Sequence, residues 1–271
     1  MKSPRELNID INLIDMIDSF GLSGRAMEGL KMILASEEIQ ACQEYANTVS
    51  IVRLGYNDHG PVHMRTVAYN AVLMLGLLKK AGIKTSLEQD LCGDFEDSIM
   101  AVILAAMMHD LGMGMGRQNH ELHSTVLALP FIDQILAHVY KNEWHKRAMI
   151  RAVALEGIAG HMGTINVSSL EAGIIQVSDG CDMTKGRARI PILLVQNPRV
   201  GHIHQYSANS IEEVNIISGV EKPIRVEVMM SSEVGIFQIE EVLMHKISNS
   251  TAKQHIELYA QVGTDAPARY L

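Results

Sequence analysis

The sequence predicts a mainly α-helical protein, in which an all-helical domain is followed by a small α+β domain. Apolar residues recur at helical spacing through most of residues 1–195, including N-terminal helices within residues 1–48. Residues 196–271 instead contain short segments in which apolar and polar residues alternate, as they do in half-buried strands. With 271 residues, of which 47% are hydrophobic and 20% charged, the chain can bury a substantial core.

The helices of the first domain are predicted from apolar spacing and from the residues that interrupt it. Pro61 suits a first helical position, and Gly82 ends the helix that it opens. Asp97 or Ser98 is predicted to cap a helix that is apolar nearly all round as far as Leu111. The other predicted helices cover residues 11–20, 25–46, 122–139, 144–161 and 168–182, with a loop at residues 88–93.

The second domain is predicted from a change of period. Residues 211–218 and 223–230 are short β-rich segments, and residues 256–262 alternate again as a strand. Residues 234–247 have helical spacing between them. A small α+β domain of this kind often dimerises, so a homodimer through the C-terminal domain is one expectation.

Charge and cysteine content exclude several classes of protein. A formal net charge of −8 argues against broad binding to nucleic acid or to an anionic membrane, whereas a small phosphorylated substrate needs only local positive charge. The N-terminal residues lack the apolar stretch of a signal peptide, and the longest apolar segment is too short to span a membrane. The three cysteines stand far apart in sequence, which favours a reduced, cytoplasmic setting.

Ligand-type side chains end four apolar helix faces. The most apolar predicted helix belongs in the core, yet it ends in His109 and Asp110. Burying an unpaired carboxylate costs several kcal/mol, so such a group is normally paired or bound to a metal ion. His63, His161 and Asp179 also lie at or near the ends of apolar faces. Together these residues favour a metal site.

Each of these residues alone has an ordinary structural interpretation. A single histidine is more often a hydrogen-bonded core or surface residue than a ligand. Asp110 could cap a neighbouring helix, and Asp179 could lie exposed at a helix end beside Gly180. The metal interpretation is favoured because the pattern places all of them together, with two acidic groups on otherwise apolar faces.

The ordered set His63, His109–Asp110 and Asp179 resembles the ligand pattern of the HD superfamily of metal-dependent phosphohydrolases. The local sequences are HGPVHMRTV around His63, LAAMMHDLGMG around the His–Asp pair, and IQVSDGCDMTKGRAR around Asp179. The apolar helix before the pair and the ordered partners make the resemblance specific, because a bare His–Asp dipeptide is common. The resemblance covers residues 50–195 and implies an all-helical HD-type bundle around the metal.

Two further histidines extend the resemblance to binuclear members. His120, within NHELHSTVLA, and His161, within IAGHMG, are similar to the additional histidines of those proteins. The resemblance then implies that Asp110 bridges two metal ions and is the central catalytic carboxylate. The ligand sets that it implies are His63, His109 and Asp179 for one ion, and His120 and His161 for the other.

The chain also departs from two branches of the superfamily. It lacks the paired histidines and the GYP segment of the HD-GYP phosphodiesterases, which argues against specificity for cyclic di-GMP. Leu111 and Gly112 follow Asp110 where the stringent-response nucleotide hydrolases carry an acidic pair. The resemblance therefore implies the chemistry more closely than the substrate.

The predicted cofactor is one or two divalent transition-metal ions. Imidazole and carboxylate ligands suit Mn²⁺, Fe²⁺, Co²⁺ or Ni²⁺, and Mg²⁺ is also compatible, whereas a structural zinc site would need a cysteine pair. Such ions polarise a phosphoryl oxygen and activate water. Lys185 and Arg187 follow Asp179 closely and could hold phosphate oxygens, although a solvated basic loop is an equal interpretation.

The expected function is hydrolysis of a phosphoester bond in a nucleotide or other small phosphorylated substrate. A regulatory module that binds a nucleotide through a retained metal site without turnover is the main alternative. A di-iron oxygenase on a similar ligand set is a third hypothesis. Metal content and recovery of unchanged ligand would separate the three.

Overall fold

A computed structural model describes residues 2–187 and 207–271 of the chain. Helices dominate the first range, and the second contains a four-stranded sheet with a helical segment. The prediction of a helical part followed by a small α+β part is confirmed. The predicted domain boundary, between residues 195 and 196, lies outside the described residues.

Nine α-helices occur within residues 2–187, and a π-helical turn and a 3₁₀ turn separate some of them. The α-helices are α1 Pro4–Ser19, α2 Arg25–Ala35, α3 Glu37–Thr48, α4 Pro61–Lys80, α5 Ser86–Gln89, α6 Phe95–Met108, α7 His120–Tyr140, α8 Trp144–Gly160 and α9 Leu170–Cys181. The π-helical turn is Val49–Arg53, before α4, and the 3₁₀ turn is Leu111–Gly114, after α6.

The C-terminal part contains four strands and a continuous helical run between the second and third. The strands are β1 Ile211–Ser218, β2 Ile224–Met230, β3 Ile256–Val262 and β4 Ala268–Arg269. The helical run covers residues 233–248 and is called the C-terminal segment below. It consists of a 3₁₀ turn Glu233–Gly235, α-helical Ile236–Gln238, a π-helical turn Ile239–Leu243 and α-helical Met244–Ser248. A separate 3₁₀ turn, Lys253–His255, lies between this segment and β3.

Two predictions of local structure were wrong in detail, because capping residues set helix boundaries where the apolar periodicity continues or is too short to show them. The single helix predicted over residues 25–46 is divided at Ser36, whose backbone is extended and whose hydroxyl accepts from the Ile39 N–H. The first two residues of the loop predicted at residues 88–93 belong instead to a short helix, α5, which a capping box between Thr85 and Glu88 begins. Apolar spacing alone does not reveal such breaks.

Helix α6 is the buried centre of the helical part. Its N-cap is Asp94 rather than the predicted Asp97 or Ser98, because Asp94 and Asp97 form a reciprocal capping box. The stretch Phe95–Gly114 is long and apolar enough to cross a membrane, but 94% of it is buried within the protein. The stretch His120–Tyr140 passes the same test with 28% buried, and one or two such helices are weak support for a membrane span.

The sheet has the order β1-β2-β3-β4 and packs on α4. β1 and β2 are antiparallel, whereas β2 and β3 are parallel, so the C-terminal segment is the crossover between them. Buried side chains of the sheet and of the helices form one continuous hydrophobic core. The C-terminal segment is thereby held against the helical part.

Close approach of the C-terminal segment, and of the turn that follows it at residues 249–252, to α9 depends on two glycines of that helix. A Cβ added at Gly173 would lie 2.1 Å from the Thr251 Oγ1, and one at Gly180 would lie 3.2 Å from the Lys246 Cδ. The Ser250 hydroxyl donates to the Gly173 carbonyl at 2.8 Å. The segment therefore lies directly on the face of α9 that carries Asp179.

Candidate metal centre

Three helix C-terminal ends and two helix starts meet at a buried cluster of histidine and aspartate side chains. His63 lies in the first turn of α4, and Asp179 lies in the last turn of α9. His109 and His161 are the C-caps of α6 and α8, and His120 is the first residue of α7. The structure thus brings together all six predicted ligands, each at most 5% exposed: His63, His109, Asp110, His120, His161 and Asp179.

Asp110 lies between two pairs of imidazoles. Its Oδ2 is 3.3 Å from the Nε2 atoms of both His63 and His109. Its Oδ1 is 3.2 Å from the Nε2 of His120 and 3.5 Å from that of His161. Each carboxylate oxygen therefore faces its own pair of nitrogen atoms, which is the arrangement of a carboxylate that bridges two cations.

The two C-cap histidines are oriented in the same way. The Nδ1 of His109 is 2.8 Å from the Ala106 carbonyl oxygen, and the Nδ1 of His161 is 2.7 Å from the Ile158 carbonyl oxygen. Since a carbonyl oxygen only accepts, the proton lies on Nδ1 and the Nε2 lone pair points toward Asp110. Both rings also satisfy carbonyls at helix C-termini, whose negative dipole ends favour a cation in the centre.

The other two histidines are oriented by polar partners as well. The Nδ1 of His120 lies 3.0 Å from the Arg117 carbonyl oxygen and 3.1 Å from a carboxylate oxygen of Glu121. The Nδ1 of His63 donates to the Asp182 Oδ2 at 2.6 Å. Such partners fix the tautomer and raise the basicity of a metal-binding imidazole. Asp182 therefore has a role that the sequence did not indicate.

The residues present fit a cation. Both oxygens of Asp110 are buried and form no hydrogen bond with the described residues. Burial raises the pKa of Asp110, but the neighbouring His109 and His59 hold it well below its ordinary value, so the group is a carboxylate. Burial lowers the pKa of His161 to about 4, so that ring is neutral at neutral pH. The lone pairs of the Asp110 oxygens then face the lone pair of the imidazole Nε2, and a metal ion between these atoms would remove the repulsion.

Asp179 completes the cluster and binds a lysine from the C-terminal segment. Its Oδ1 is 3.2 Å from the His63 Nε2 and 3.8 Å from the Arg187 guanidinium, while its Oδ2 accepts from the Lys246 ammonium. Burial raises the pKa of Asp179, but Lys246 and His63 hold it well below its ordinary value. No local sequence pattern indicates Lys246, which lies 67 residues away along the chain.

The charge around His63 also indicates a site for positive charge. Burial and Arg187 lower the pKa of this imidazole, but the nearby carboxylates of Asp110, Asp179 and Asp182 raise it to about 10. The Arg187 guanidinium lies 3.0 Å from the His63 Nε2 and can donate there only when that atom carries no proton. The three carboxylates therefore favour positive charge at this position, whether it is carried by the imidazole or by an ion bound to it.

A cavity of about 730 Å³ opens onto the centre. Asp110, Asp179 and His161 are among its lining residues, together with the less polar side chains of Tyr56 and Met162. Three permanently charged side chains, which we call the cationic trio, also line it: Arg117, Arg187 and Lys246. A volume of this size is typical of pockets for small organic ligands.

The two predicted phosphate ligands separate in the structure. Arg187 lines the cavity, but Lys185 is exposed and pairs with Glu212 on the surface. The structure therefore does not bring Lys185 to the site, because its ammonium pairs with Glu212 of β1 instead. His59 lines the cavity without joining the ligand cluster, and its Nδ1 lies 2.6 Å from the Asn57 carbonyl oxygen.

Gly112 allows α7 to approach the centre. A Cβ at this position would lie 2.0 Å from the His120 carbonyl oxygen and 2.6 Å from the Ser124 backbone nitrogen. The Gly112 N–H donates to the Ser124 hydroxyl at 2.8 Å, which closes the 3₁₀ turn onto α7. Asn119 precedes His120 in a left-handed conformation that asparagine tolerates. These contacts place His120 beside Asp110.

A buried network supports the ends of α4 and α6. Arg65 is 1% exposed and donates to Asp10 at 2.7 Å, to the Gln43 side chain at 3.0 Å and to the Pro61 carbonyl at 3.1 Å. Gln43 in turn donates to the Met107 carbonyl at 2.7 Å. The network therefore connects the start of α4, which carries His63, with the end of α6, which is capped by His109.

Comparison with known proteins identifies a long alignment with one archaeal protein. The chain is 43% identical over 235 residues to the uncharacterized protein MJ1020 of Methanocaldococcus jannaschii, which covers 87% of this chain and 88% of that protein. The part of this chain that the alignment omits is shorter than the range 207–271. The alignment therefore includes at least some residues of the α+β part. No family model matches the chain, and no solved structure matches it.

Proposed function

This chain belongs to the same protein family as MJ1020, and we propose that it is an HD-type metal-dependent phosphohydrolase acting on a nucleotide or another small phosphorylated substrate. One observation carries the proposal. The two buried oxygens of Asp110 form no hydrogen bond with the described residues, and each faces a separate pair of imidazole nitrogens. Such a carboxylate is costly unless cations compensate it, and two divalent ions would do so.

Six residues would hold the ions. Asp110 would bridge them, with one imidazole pair and Asp179 on one side and the other imidazole pair on the opposite side. The imidazole pairs are His63 with His109, and His120 with His161. A mixed nitrogen and oxygen set suits Mn²⁺, Fe²⁺, Co²⁺ or Ni²⁺, and also Mg²⁺. When bound, such ions supply Lewis-acid polarisation of a phosphoryl oxygen and acidify water.

The residues of the chain itself orient the reacting groups. Asp182 holds the His63 ring through Nδ1, so the Nε2 stays directed at the centre. Arg187 lies at the cavity wall and is fixed by hydrogen bonds to the Asp58 and Asp182 carbonyls at 2.7 and 3.0 Å. A guanidinium held in this way can position a phosphate oxygen with little loss of conformational entropy.

The cavity supports a nucleotide-sized substrate. About 730 Å³ can accept a phosphate together with an organic group of moderate size. The charged residues that line the cavity would take the phosphate, and apolar lining residues such as Tyr56 and Met162 would contact the organic group. Arg117 also lines the cavity, 3.2 Å from the His120 Nε2 and 3.8 Å from the Met162 sulfur.

Metal content and hydrolysis together test the proposal. Elemental analysis of protein purified without chelators should find about two transition-metal ions per chain, since the ligands form two sets around one bridging carboxylate. Asp110→Asn should lose most of the metal and at least about 100-fold of any phosphoesterase activity. Asp15→Asn, at an exposed position of α1, is the matched control and should change neither.

Three results would separate the alternatives. Absence of metal after addition of Mn²⁺, with no hydrolysis of nucleotides or diesters, would remove the proposal. Micromolar binding of a nucleotide that is recovered unchanged would favour a regulatory module. Iron with oxygen consumption would favour a di-iron oxygenase.

The cytoplasmic location and the homodimer through the C-terminal sheet stay predictions. Strand β1 forms one edge of that sheet, so a second copy could pair there. Sedimentation analysis of the full chain would measure the oligomeric state.

A further inference from the structure

Lys246 is a buried cation that the C-terminal segment inserts beside the candidate ligands. Lys246 is 6% exposed, and its ammonium donates to the Asp179 Oδ2. Its stem lies against α9 where Gly180 leaves room, and its Cα is 3.7 Å from the position of a Cβ at Gly163. Both glycines allow the lysine to reach the centre, so its position depends on close backbone packing.

We infer that Lys246 contacts the phosphoryl group of the substrate and that, with the rest of the cationic trio, it selects a terminal phosphate, that is a phosphomonoester, over a phosphodiester. The inference rests on the proposed function and names its substrate class. Lys246 lines the cavity as well as holding Asp179. An ammonium has three N–H groups and can therefore bind a carboxylate and a phosphoryl oxygen together.

Charge at the centre favours a dianion. Among the described residues, five carboxylates and three basic side chains lie at the centre or line the cavity, so their net charge is −2 when the histidines are neutral. Two bound divalent ions would change this net charge to +2. The carboxylates are Asp110, Asp179, Asp182, Glu121 and Glu241. A phosphomonoester dianion balances that charge, whereas a diester carries a single negative charge. Electrostatic complementarity of this kind governs selectivity between ligands of similar shape.

The geometry of the cationic trio agrees with this selection. Arg117 reaches the His120 side of the centre, Arg187 reaches the His63 side, and Lys246 reaches Asp179. A monoester phosphate has three non-bridging oxygens, whereas a diester has two. Three cations that approach from different sides therefore match the oxygens of a terminal phosphate, and a second ester group would occupy the place of one of them.

The first test measures binding of inorganic phosphate to the full chain loaded with Mn²⁺, by titration calorimetry. Lys246→Met removes the ammonium and keeps an unbranched side chain, whereas Lys246→Arg keeps the charge. Loss of a charge-assisted hydrogen bond should weaken phosphate binding about 10- to 100-fold in Lys246→Met, with partial recovery in Lys246→Arg. Lys253→Met replaces an exposed lysine outside the cavity and should bind as the wild type does.

A second variant covers failure of Lys246→Met to fold. Arg117 is half-buried at the cavity wall, and Arg117→Met should weaken phosphate binding to a similar degree. Metal content measured on each variant separates loss of phosphate from loss of metal. Wild-type affinity for phosphate in the folded, metal-loaded variants would overturn the inference.

The second test compares hydrolysis of p-nitrophenyl phosphate and bis(p-nitrophenyl) phosphate. The wild type should prefer the monoester, and Lys246→Met should lose most of that preference. Faster hydrolysis of the diester by the wild type would overturn the substrate class while leaving the phosphohydrolase in place. Failure to bind metal and to cleave either ester would instead remove the proposed function, and this inference with it.

Discussion

Replacement of Gly112 by alanine tests whether the contact between the 3₁₀ turn and α7 positions His120. The added Cβ would lie 2.0 Å from the His120 carbonyl oxygen, whereas ordinary contacts begin at 3.4 Å. The start of α7 must therefore withdraw by more than 1 Å, because both atoms that it meets belong to the backbone. Overpacking of this kind costs about 3 kcal/mol.

Thermal unfolding and metal content measure the effect of Gly112→Ala. In a chain of this size, 3 kcal/mol lowers the melting temperature by about 6 to 12 °C. Withdrawal of His120 should also lower the metal content from about two ions per chain to about one, and activity by roughly 100-fold, as expected for a misplacement of about 1 Å.

Gly114→Ala is the matched control, since it lies in the same turn and its Cβ would meet a flexible contact, the Tyr45 ring at 3.3 Å. This variant should stay within about 1 kcal/mol of the wild type. If Gly112→Ala instead melted with the wild type and kept its full metal content, the close approach of α7 would not be what positions His120.

Three further predictions concern the supports of the site. Arg65→Met leaves Asp10 buried without its main partner and should lower the free energy of unfolding in urea by about 3 to 5 kcal/mol; an unchanged midpoint would contradict this. Gly173→Ala places a Cβ 2.1 Å from the Thr251 Oγ1, so it should undock the C-terminal segment and increase its amide exchange, whereas wild-type protection would argue against that contact. Buried Glu257 accepts backbone N–H groups of the β1–β2 turn, which hold its pKa below the ordinary 4.5 although burial raises it. Its stabilisation is therefore full above pH 4.5 and is lost as the pH falls through the lowered value, so Glu257→Gln should be less stable at neutral pH and show a flatter acid-unfolding curve.

Local signals predicted most of the helical part. Pro61 and Gly82 bound α4 as predicted, since proline at a first helical position and glycine after a last one act through the backbone alone. The break at Ser36 was missed because its neighbours continue the apolar pattern. A capping hydroxyl in an otherwise helical sequence is a weak signal, since serine also occurs inside helices.

The ligands could be proposed from sequence because buried acids and imidazoles at the ends of apolar helices are unusual. Neither the position of Lys246 nor the hydrogen bond from His63 to Asp182 could be proposed from the sequence. Lys246 reaches Asp179 through tertiary packing of the C-terminal segment on α9, and no local pattern marks a lysine that will be buried. Lys185 was chosen for its nearness in sequence to Asp179, but the side chain faces Glu212 across the surface.

The packing of the C-terminal segment on α9 also gives the centre an order of assembly. The six candidate ligands lie between residues 63 and 179, whereas the lysine that covers them lies at residue 246. A chain emerging from the ribosome therefore presents the complete ligand cluster before the covering segment exists, because domains form from the N-terminal side during synthesis. A metal ion bound as proposed could therefore enter the open cluster during translation, before the last part of the chain closes over it.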